Sequence, residues 1–367
     1  MNGKKFGLAM LLVFAMLNSS FLTGCGSSGN ENQSKGDVTQ VSGELENVDT
    51  LYVGSYGANW DKGLQAIAEK FEAKYGVNVV FDSSYQFAKR IAEGSMPSVD
   101  LCLEDDINLA KAVAPDLYME LDLSKIPNAT ELYDAAIDPS GRGLAINWGP
   151  YGICYRSDLV EEAPTSWKDF WDDQYKGKIA INRMEDTGGV QFFIQAVTQN
   201  GGTYENAEPG WEAFKELAGN LKTISVTTAN MADMFTTGEI SIAPWWSGRA
   251  YGLKDDGVPV EFVIPEEGAY ACVTELAIPK GSNAPNLAHA FIDMCLDAEN
   301  QKTLAEIIIY GPTNKNTVIT DEALLERIVY GEEQVGDLIF ADWNAVDAVH
   351  SKWVEQFDKE IVPLVGG

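Results

Sequence analysis

Two long extended runs limit what this chain can fold into. The first, "GLAINWGPYGICYRSDLV", centres on residues 145–155 and is broken by Gly149-Pro150; the second, "AYACVTELAIPKGS", centres on 269–278. Around them the pattern alternates. A strand at Thr50–Val53 runs into a loop, and "DKGLQAIAEKFEAKYG" then places Leu64, Ile67, Ala68, Phe71 and Tyr75 on one helical face, with Gly76 as the stop. "VNVVFDSS" and "VDLCLEDD" read as further strands and "INLAKAVA" as a helix. Strand–helix–strand units imply a parallel sheet. "APTSWKDFW" reads as helical, Lys178–Ile181 as a strand, 188–199 and 208–221 as helices, and "EISIAPWW" and "PVEFVIPEEG" as strands. "NAPNLAHAFIDMCLDAENQKTLAEIIIYG" is a helix pair, and the chain ends in helix. The two extended runs are spaced as two crossings between lobes would be. The expectation is an α/β protein of two lobes, 49–148 with 274–367 and 149–273, joined by a hinge of crossing strands with a ligand cleft between them. Such a hinge suits closure around a small ligand.

The N-terminus points to export. "MNGKKFGLAMLLVFAMLNSSFLTGC" has a basic start, an apolar run and small residues, the layout of a secretory signal peptide over 1–24. Leu22-Thr23-Gly24-Cys25 resembles the lipobox of bacterial lipoproteins, which implies lipidation of Cys25 and a membrane anchor on the extracytoplasmic side. Residues 25–48 are small and polar and read as a flexible tether. Acidic residues outnumber basic ones 55 to 26, and loss of Lys4 and Lys5 with the leader takes the formal net charge from −29 to −31. That field disfavours nucleic acid and anionic membrane surfaces. Cys102, Cys154, Cys272 and Cys295 show no zinc-ligand spacing and read as buried thiols. Neither a metal nor a cofactor is expected, and His289 reads as structural.

In open α/β sheets ligands sit beyond the C-terminal ends of the strands. That rule selects Ser55, Tyr56 and Trp60 after the first strand, Ser84 and Tyr85 after the second, and Asp105 after the third. In lobe two it selects Asp186, Trp246 and Arg249. Residues on the first crossing alternate faces, and Tyr151 is the one placed in the cleft. Aromatic faces and carboxylates together suit an ammonium ligand. Each has a bland alternative: Trp60 as core, Tyr85 as cover for the next helix, Glu104–Asp106 as helix cap and first turn. Adjacent strand residues point to opposite faces, so Trp245 is read as core and Trp246 as a cleft wall.

The segments "GLQAIAEKFEAKYGVNV", "VDLCLEDD", "AINWGPYGICYRSDLV", "PTSWKDFWDDQYKGKIAI", "IPEEGAY" and "TELAIPKGSNAPNLAHAFIDMCLDAENQKTLAE" carry a resemblance. In order and spacing over residues 50–316, the chain resembles the extracellular solute-binding lipoproteins of ABC importers, and within them the spermidine/putrescine-binding group. The resemblance implies the two-lobed periplasmic-binding-protein fold, no catalysis, a monomer that captures a small solute, and a permease with its ATPase as partners. The chain also departs from that pattern. Polyamine-binding members resemble one another in an aromatic residue and an acid two places on at the second crossing; here those places hold Cys272 and Thr274, and the resemblance makes Glu275, one step displaced, the candidate acid there. Near Arg183–Asp186 the match slips, and Arg249 follows the tryptophans.

A polyamine is therefore the leading expectation. A zwitterion or anion such as an amino acid or phosphonate is second, because an arginine beside a pocket suits a carboxylate or phosphate. A sugar receptor would also use stacked tryptophan, and ferric iron would need a tyrosine set that only Tyr310 suggests. A glycoside hydrolase would need two carboxylates, such as Glu104 and Glu185, facing each other across the cleft. No G-x-S-x-G, H-E-x-x-H or phosphate-cradling loop is present.

Overall fold

The computed structural model describes residues 44–365. The leader, Cys25 and most of the expected tether lie outside the described residues. The end of that tether belongs to the fold: the Glu46 carboxylate accepts from the backbone N–H groups of Asn286 at 2.9 Å and Leu287 at 3.0 Å.

Strand β1 (Thr50–Gly54), helix α1 (Asn59–Tyr75), β2 (Asn78–Asp82), α2 (Phe87–Glu93), β3 (Leu101–Asp105) and α3 (Asp106–Val113) form the first α/β segment. The chain continues through β4 (Gly143–Arg156), β5 (Ile179–Asn182), α4 (Thr187–Gln199), α5 (Glu208–Ala218), β6 (Leu221–Ser225) and α6 (Thr228–Thr237). Then come β7 (Ile242–Trp246), α7 (Ser247–Asp255), β8 (Val260–Val263) and β9 (Tyr270–Ala277). Helices α8 (Pro285–Leu296), α9 (Ala298–Ile308), α10 (Glu322–Leu325), α11 (Gly331–Gly336) and α12 (Trp343–Glu360) follow. Helix α1 buries Leu64, Ile67, Ala68 and Phe71, the face its periodicity sets, and Gly76 ends it in the left-handed region.

The strands run β2-β1-β3-β9-β4-β7-β5-β6, with β8 on β4. β1 is parallel to β2 and β3, and β5 is parallel to β6 and β7. Between these parallel halves lie β4 and β9, the two extended runs, paired antiparallel from Gly143–Ala277 to Tyr151–Tyr270. All fourteen residues of β4 are buried. β9 pairs outward with β3, and the second half of β4 with β7. This is the two-lobed arrangement, with the crossing ladder at its centre.

Three local expectations are corrected. The helix expected over 208–221 stops at Ala218, and Leu221–Ser225 is strand β6, paired with β5. Strand partnership comes from distant residues, so the local pattern did not carry it. Residues 167–171 form a short 3₁₀ turn, because Asp172 caps a fresh turn at once by accepting from Gln174 N–H. Finally, α12 was expected in lobe one with the rest of 274–367. It packs against α3, but Trp353 also meets Phe193 of α4 edge-on at 5.0 Å, and Phe357 meets Phe214 of α5 at 6.4 Å. Cys102, Cys154, Cys272 and Cys295 are free thiols, and His289 uses both ring nitrogens on backbone groups at Asp122 and Pro285.

Gly189 in α4 leaves no room for a side chain, since a Cβ there would overlap the Arg183 carbonyl. Backbone cannot step aside as a side chain can, so Gly189→Ala is expected to destabilise by about 1–3 kcal/mol. Gly252 in α7 faces open space, with no atom within 4 Å of a built Cβ. Gly252→Ala is expected to stabilise by up to about 1 kcal/mol through helix propensity. Urea titration of both variants measures the contrast; equal effects would refute it.

Candidate functional site

A cavity of about 370 Å³ opens where the strand ends of both halves meet β9. Tyr56 enters it from the loop after β1, which turns through positive φ at Gly57 and Ala58, and Trp60 from the first turn of α1. Asp105 enters from the end of β3, and Glu185, Asp186 and Thr187 from the start of α4. Trp246 and Arg249 come from the β7–α7 junction, Cys272 and Thr274 from β9, and Tyr310 from the turn after α9.

Three acids and one base set the electrostatics. Asp105 joins the two sides: its Oδ1 accepts from the Tyr56 hydroxyl at 3.0 Å and its Oδ2 from Thr187 Oγ1 at 3.2 Å. Burial raises the Asp105 carboxyl above its ordinary range, while these bonds and the Arg249 charge oppose the shift. Asp186 caps α4 by accepting from Gly188 N–H at 2.9 Å, and burial pushes its carboxyl up to about 6. Glu185 is exposed, with Arg183 at 3.7 Å. Among the described residues Arg249 forms no salt bridge and no hydrogen bond.

The walls are aromatic. Tyr56 meets Trp60 edge-on at 5.5 Å, and Trp60 meets Tyr310 at 6.0 Å. The Tyr310 ring fits only because Gly149 and Gly248 carry no side chain, and Ile309 before it holds a left-handed φ of 61°. That conformation is strained for a β-branched residue, and such strain clusters at functional sites. Trp246 packs on Tyr151 at 5.6 Å and faces the cavity. Trp245 stacks on Phe235 at 5.5 Å and lines an adjoining cavity of about 600 Å³ that shares Trp60, Arg249 and Tyr310 with the first. Buried polar atoms here lack partners: the Tyr151 hydroxyl, the Trp246 indole N–H, Ser247 Oγ and both amide atoms of Asn147, which is in register with Thr274. Natural interiors leave few such groups, and their concentration here favours a polar occupant.

Tyr56, Trp60, Asp105, Asp186, Trp246 and Arg249 of the candidates thus share one cavity. The other five lie elsewhere. Ser55 is buried beneath it, hydrogen-bonded to Asp61, and Ser84 is exposed on Asp82. Tyr85 is core under Gly54, and Tyr151 is buried behind Trp246. Glu275 faces the opposite side of β9 from Thr274, as strand alternation requires. Sequence reasoning missed Cys272 and Thr274 as wall residues because it looked there for an aromatic residue and an acid. Thr187, next to the selected Asp186, and Tyr310, raised only for ferric iron, line the same cavity and become neighbours through the fold.

Glu104 does not reach the cavity. It is buried on the other face of β3, accepting from Tyr118 and from Asn108 at 3.0 Å. The opposed Glu104–Glu185 pair that glycoside cleavage would need is therefore not formed.

Comparison with known proteins follows from this geometry. The family profile described as bacterial extracellular solute-binding protein matches residues 66–323. The chain belongs to this family. The solute-binding protein is 24% identical over 323 residues to the spermidine/putrescine-binding periplasmic protein of Escherichia coli (strain K12), covering 83% of this chain and 90% of that one. It is 22% identical over 306 residues to the gamma-aminobutyric acid-binding protein of Pseudomonas aeruginosa, covering 79% and 82%. The crystal structure of an ABC transporter from Clostridium perfringens superposes with a TM-score of 0.72 at 26% identity, covering 85% of this chain and 99% of that one. No helix among the described residues is long and apolar enough to cross a membrane.

A buried acid whose carboxyl is raised contributes stability that is lost as pH rises. Burial pushes Glu104 up to about 8. Its neutral form stabilises the fold fully below the unfolded value of about 4.3, and that contribution is lost as pH rises through the folded value. Glu104→Gln keeps the neutral shape at every pH. Between about pH 5 and pH 9 the urea midpoint is expected to fall less in Glu104→Gln than in the parent. Equal falls would refute the assignment.

Proposed function

We propose that the protein is the substrate-binding component of an ABC importer and that its cleft captures a polyamine such as spermidine or putrescine. The observation that carries this is the cavity itself: Asp105, Asp186 and Glu185 against a single Arg249, inside walls of Tyr56, Trp60, Trp246 and Tyr310. Carboxylates pair with ammonium groups, and ring faces hold the cationic chain through their quadrupoles. The polyamine named for the Escherichia coli relative agrees with that chemistry. Capture proceeds by lobe closure about the β4–β9 ladder, with lobe one at 49–148 and 274–342, lobe two at 149–273, and α12 laid across both. We further propose that cleavage before Cys25 leaves a lipid-anchored monomer outside the cytoplasmic membrane, which delivers its solute to a permease and its ATPase.

Arg249 favours a second reading. An unpaired guanidinium in the cleft suits the carboxylate of a zwitterion, and the Pseudomonas aeruginosa relative is named for gamma-aminobutyric acid. Sugars, phosphonates and ferric iron engage this set of acids less well.

Calorimetry on the mature chain with spermidine, putrescine and gamma-aminobutyric acid separates the two readings. A polyamine receptor loses about tenfold or more in polyamine affinity in Asp105→Asn and in Trp246→Ala. Its affinity is unchanged or tighter in Arg249→Ala, since a like charge has gone. Binding of gamma-aminobutyric acid but no polyamine, lost in Arg249→Ala, would sink the polyamine reading.

A further inference from the structure

The other face of the crossing ladder holds a second cavity of about 450 Å³. β9 alternates between the two: Cys272 and Thr274 face the cleft, whereas Val273 and Glu275 face this rear cavity. At the β3–α3 junction Asp105 likewise faces the cleft and the adjacent Asp106 the rear. The loop at 134–140 and the segment leading into α12 close it.

Glu275 is the anomaly. It is only 4% exposed, it lines the cavity, and its Oε2 has no hydrogen-bond partner. Space is kept for that carboxylate, because a Cβ on Gly143 would overlap Oε2. Asp106 and Asp138 line the same cavity, each using an oxygen on a local backbone N–H at 2.9 Å, from Ile107 and Ser140. Burial first, and then the negative charge of Asp138 and Asp106, raise Glu275 well above the carboxylate range. Among the described residues no lysine or arginine lines the cavity; Lys315 lies 3.7 Å from Asp134, one of its lining acids. Asp342 at the rim is engaged in capping α12. Val273, Ile137, Phe340 and Trp343 give it an apolar and aromatic wall, with the polar Asn344 beside them. Among the described residues no group of three acids, histidines or cysteines converges as a metal site requires.

We propose that this rear cavity is a second ligand site, in which the unpartnered Glu275 receives the ammonium head of a small alkylamine, with Asp106 and Asp138 lining the same cavity and the alkyl chain against Trp343 and Phe340. An ammonium group donates three hydrogen bonds and carries the charge that the buried carboxylates lack. The apolar wall suits a short methylene chain, where a hydrated metal ion would find no use for it. The site stands apart from the cleft and does not depend on what the cleft binds.

Calorimetry with putrescine at low salt tests it on the mature chain, in the parent, Trp246→Ala, Glu275→Gln and the double variant. Trp246→Ala is expected to retain a binding event that the double variant weakens by about tenfold or more, since a charged hydrogen bond is removed. Asp138→Asn, in a surface loop, should weaken the same event and guards against a folding defect in Glu275→Gln. If the cleft takes no putrescine, the rear event is still seen in Trp246→Ala, so the two readings fail separately. Identical isotherms in Trp246→Ala and the double variant would overturn the proposal. So would a rear event that calcium produces and putrescine does not.

Discussion

The antiparallel ladder between β4 and β9 is the interaction on which the rest of this structure depends. It is the seam between two parallel half-sheets, with β3 bonded to one side and β7 to the other. Its β4 strand is buried along its whole length, so its backbone polar groups must be satisfied by neighbouring strands. Gly149 at its middle makes way for the Tyr310 ring, so even the aromatic wall of the cleft is set from the ladder.

The ladder also sorts chemistry by face. Side chains on a strand alternate, so one residue step separates Thr274 in the cleft from Glu275 behind it, and Asp105 from Asp106 one element away. Glu104 and Glu275 lie directly opposite each other in the β3–β9 register, both buried. Burial raises both carboxyls and so favours their neutral forms. An acidic protein thus hides several of its acids next to the hinge, where a cation would relieve them. Charge spread over the surface of an exported protein serves solubility; charge held at the hinge costs stability and points to function.

The tryptophan pair shows how far local reasoning reaches. Alternation assigns Trp245 and Trp246 to opposite faces; Trp246 lines the cleft beside Tyr151, while Trp245 stacks on Phe235 and lines an adjoining cavity that shares Trp60, Arg249 and Tyr310. Arg249 follows on the first turn of α7 and enters the same cavity with no described partner. The strand-end rule gathered Tyr56, Trp60, Asp105 and Asp186 into the same space because parallel strands deliver their C-terminal ends to one edge. It erred at Ser84 and Tyr85, where β2 is the edge strand and ends away from the seam. The resemblance pointed to Glu275, but alternation along β9 puts Cys272 and Thr274 on the cleft and Glu275 behind it.

From the sequence alone came the alternation of strand and helix, the two extended crossings, the helix faces and the strand-end residues. These follow from hydrophobic period and turn chemistry, which are local. Only the tertiary structure decided which face of β9 meets the cleft, that Thr187 and Tyr310 join Asp105 there, that β6 is a strand, and that α12 lies across both lobes. Those outcomes rest on register and on contacts between residues far apart in the chain, such as Asp105 with Thr187 and Phe193 with Trp353. Such contacts exist only once the backbone has closed around them, and no local pattern encodes them.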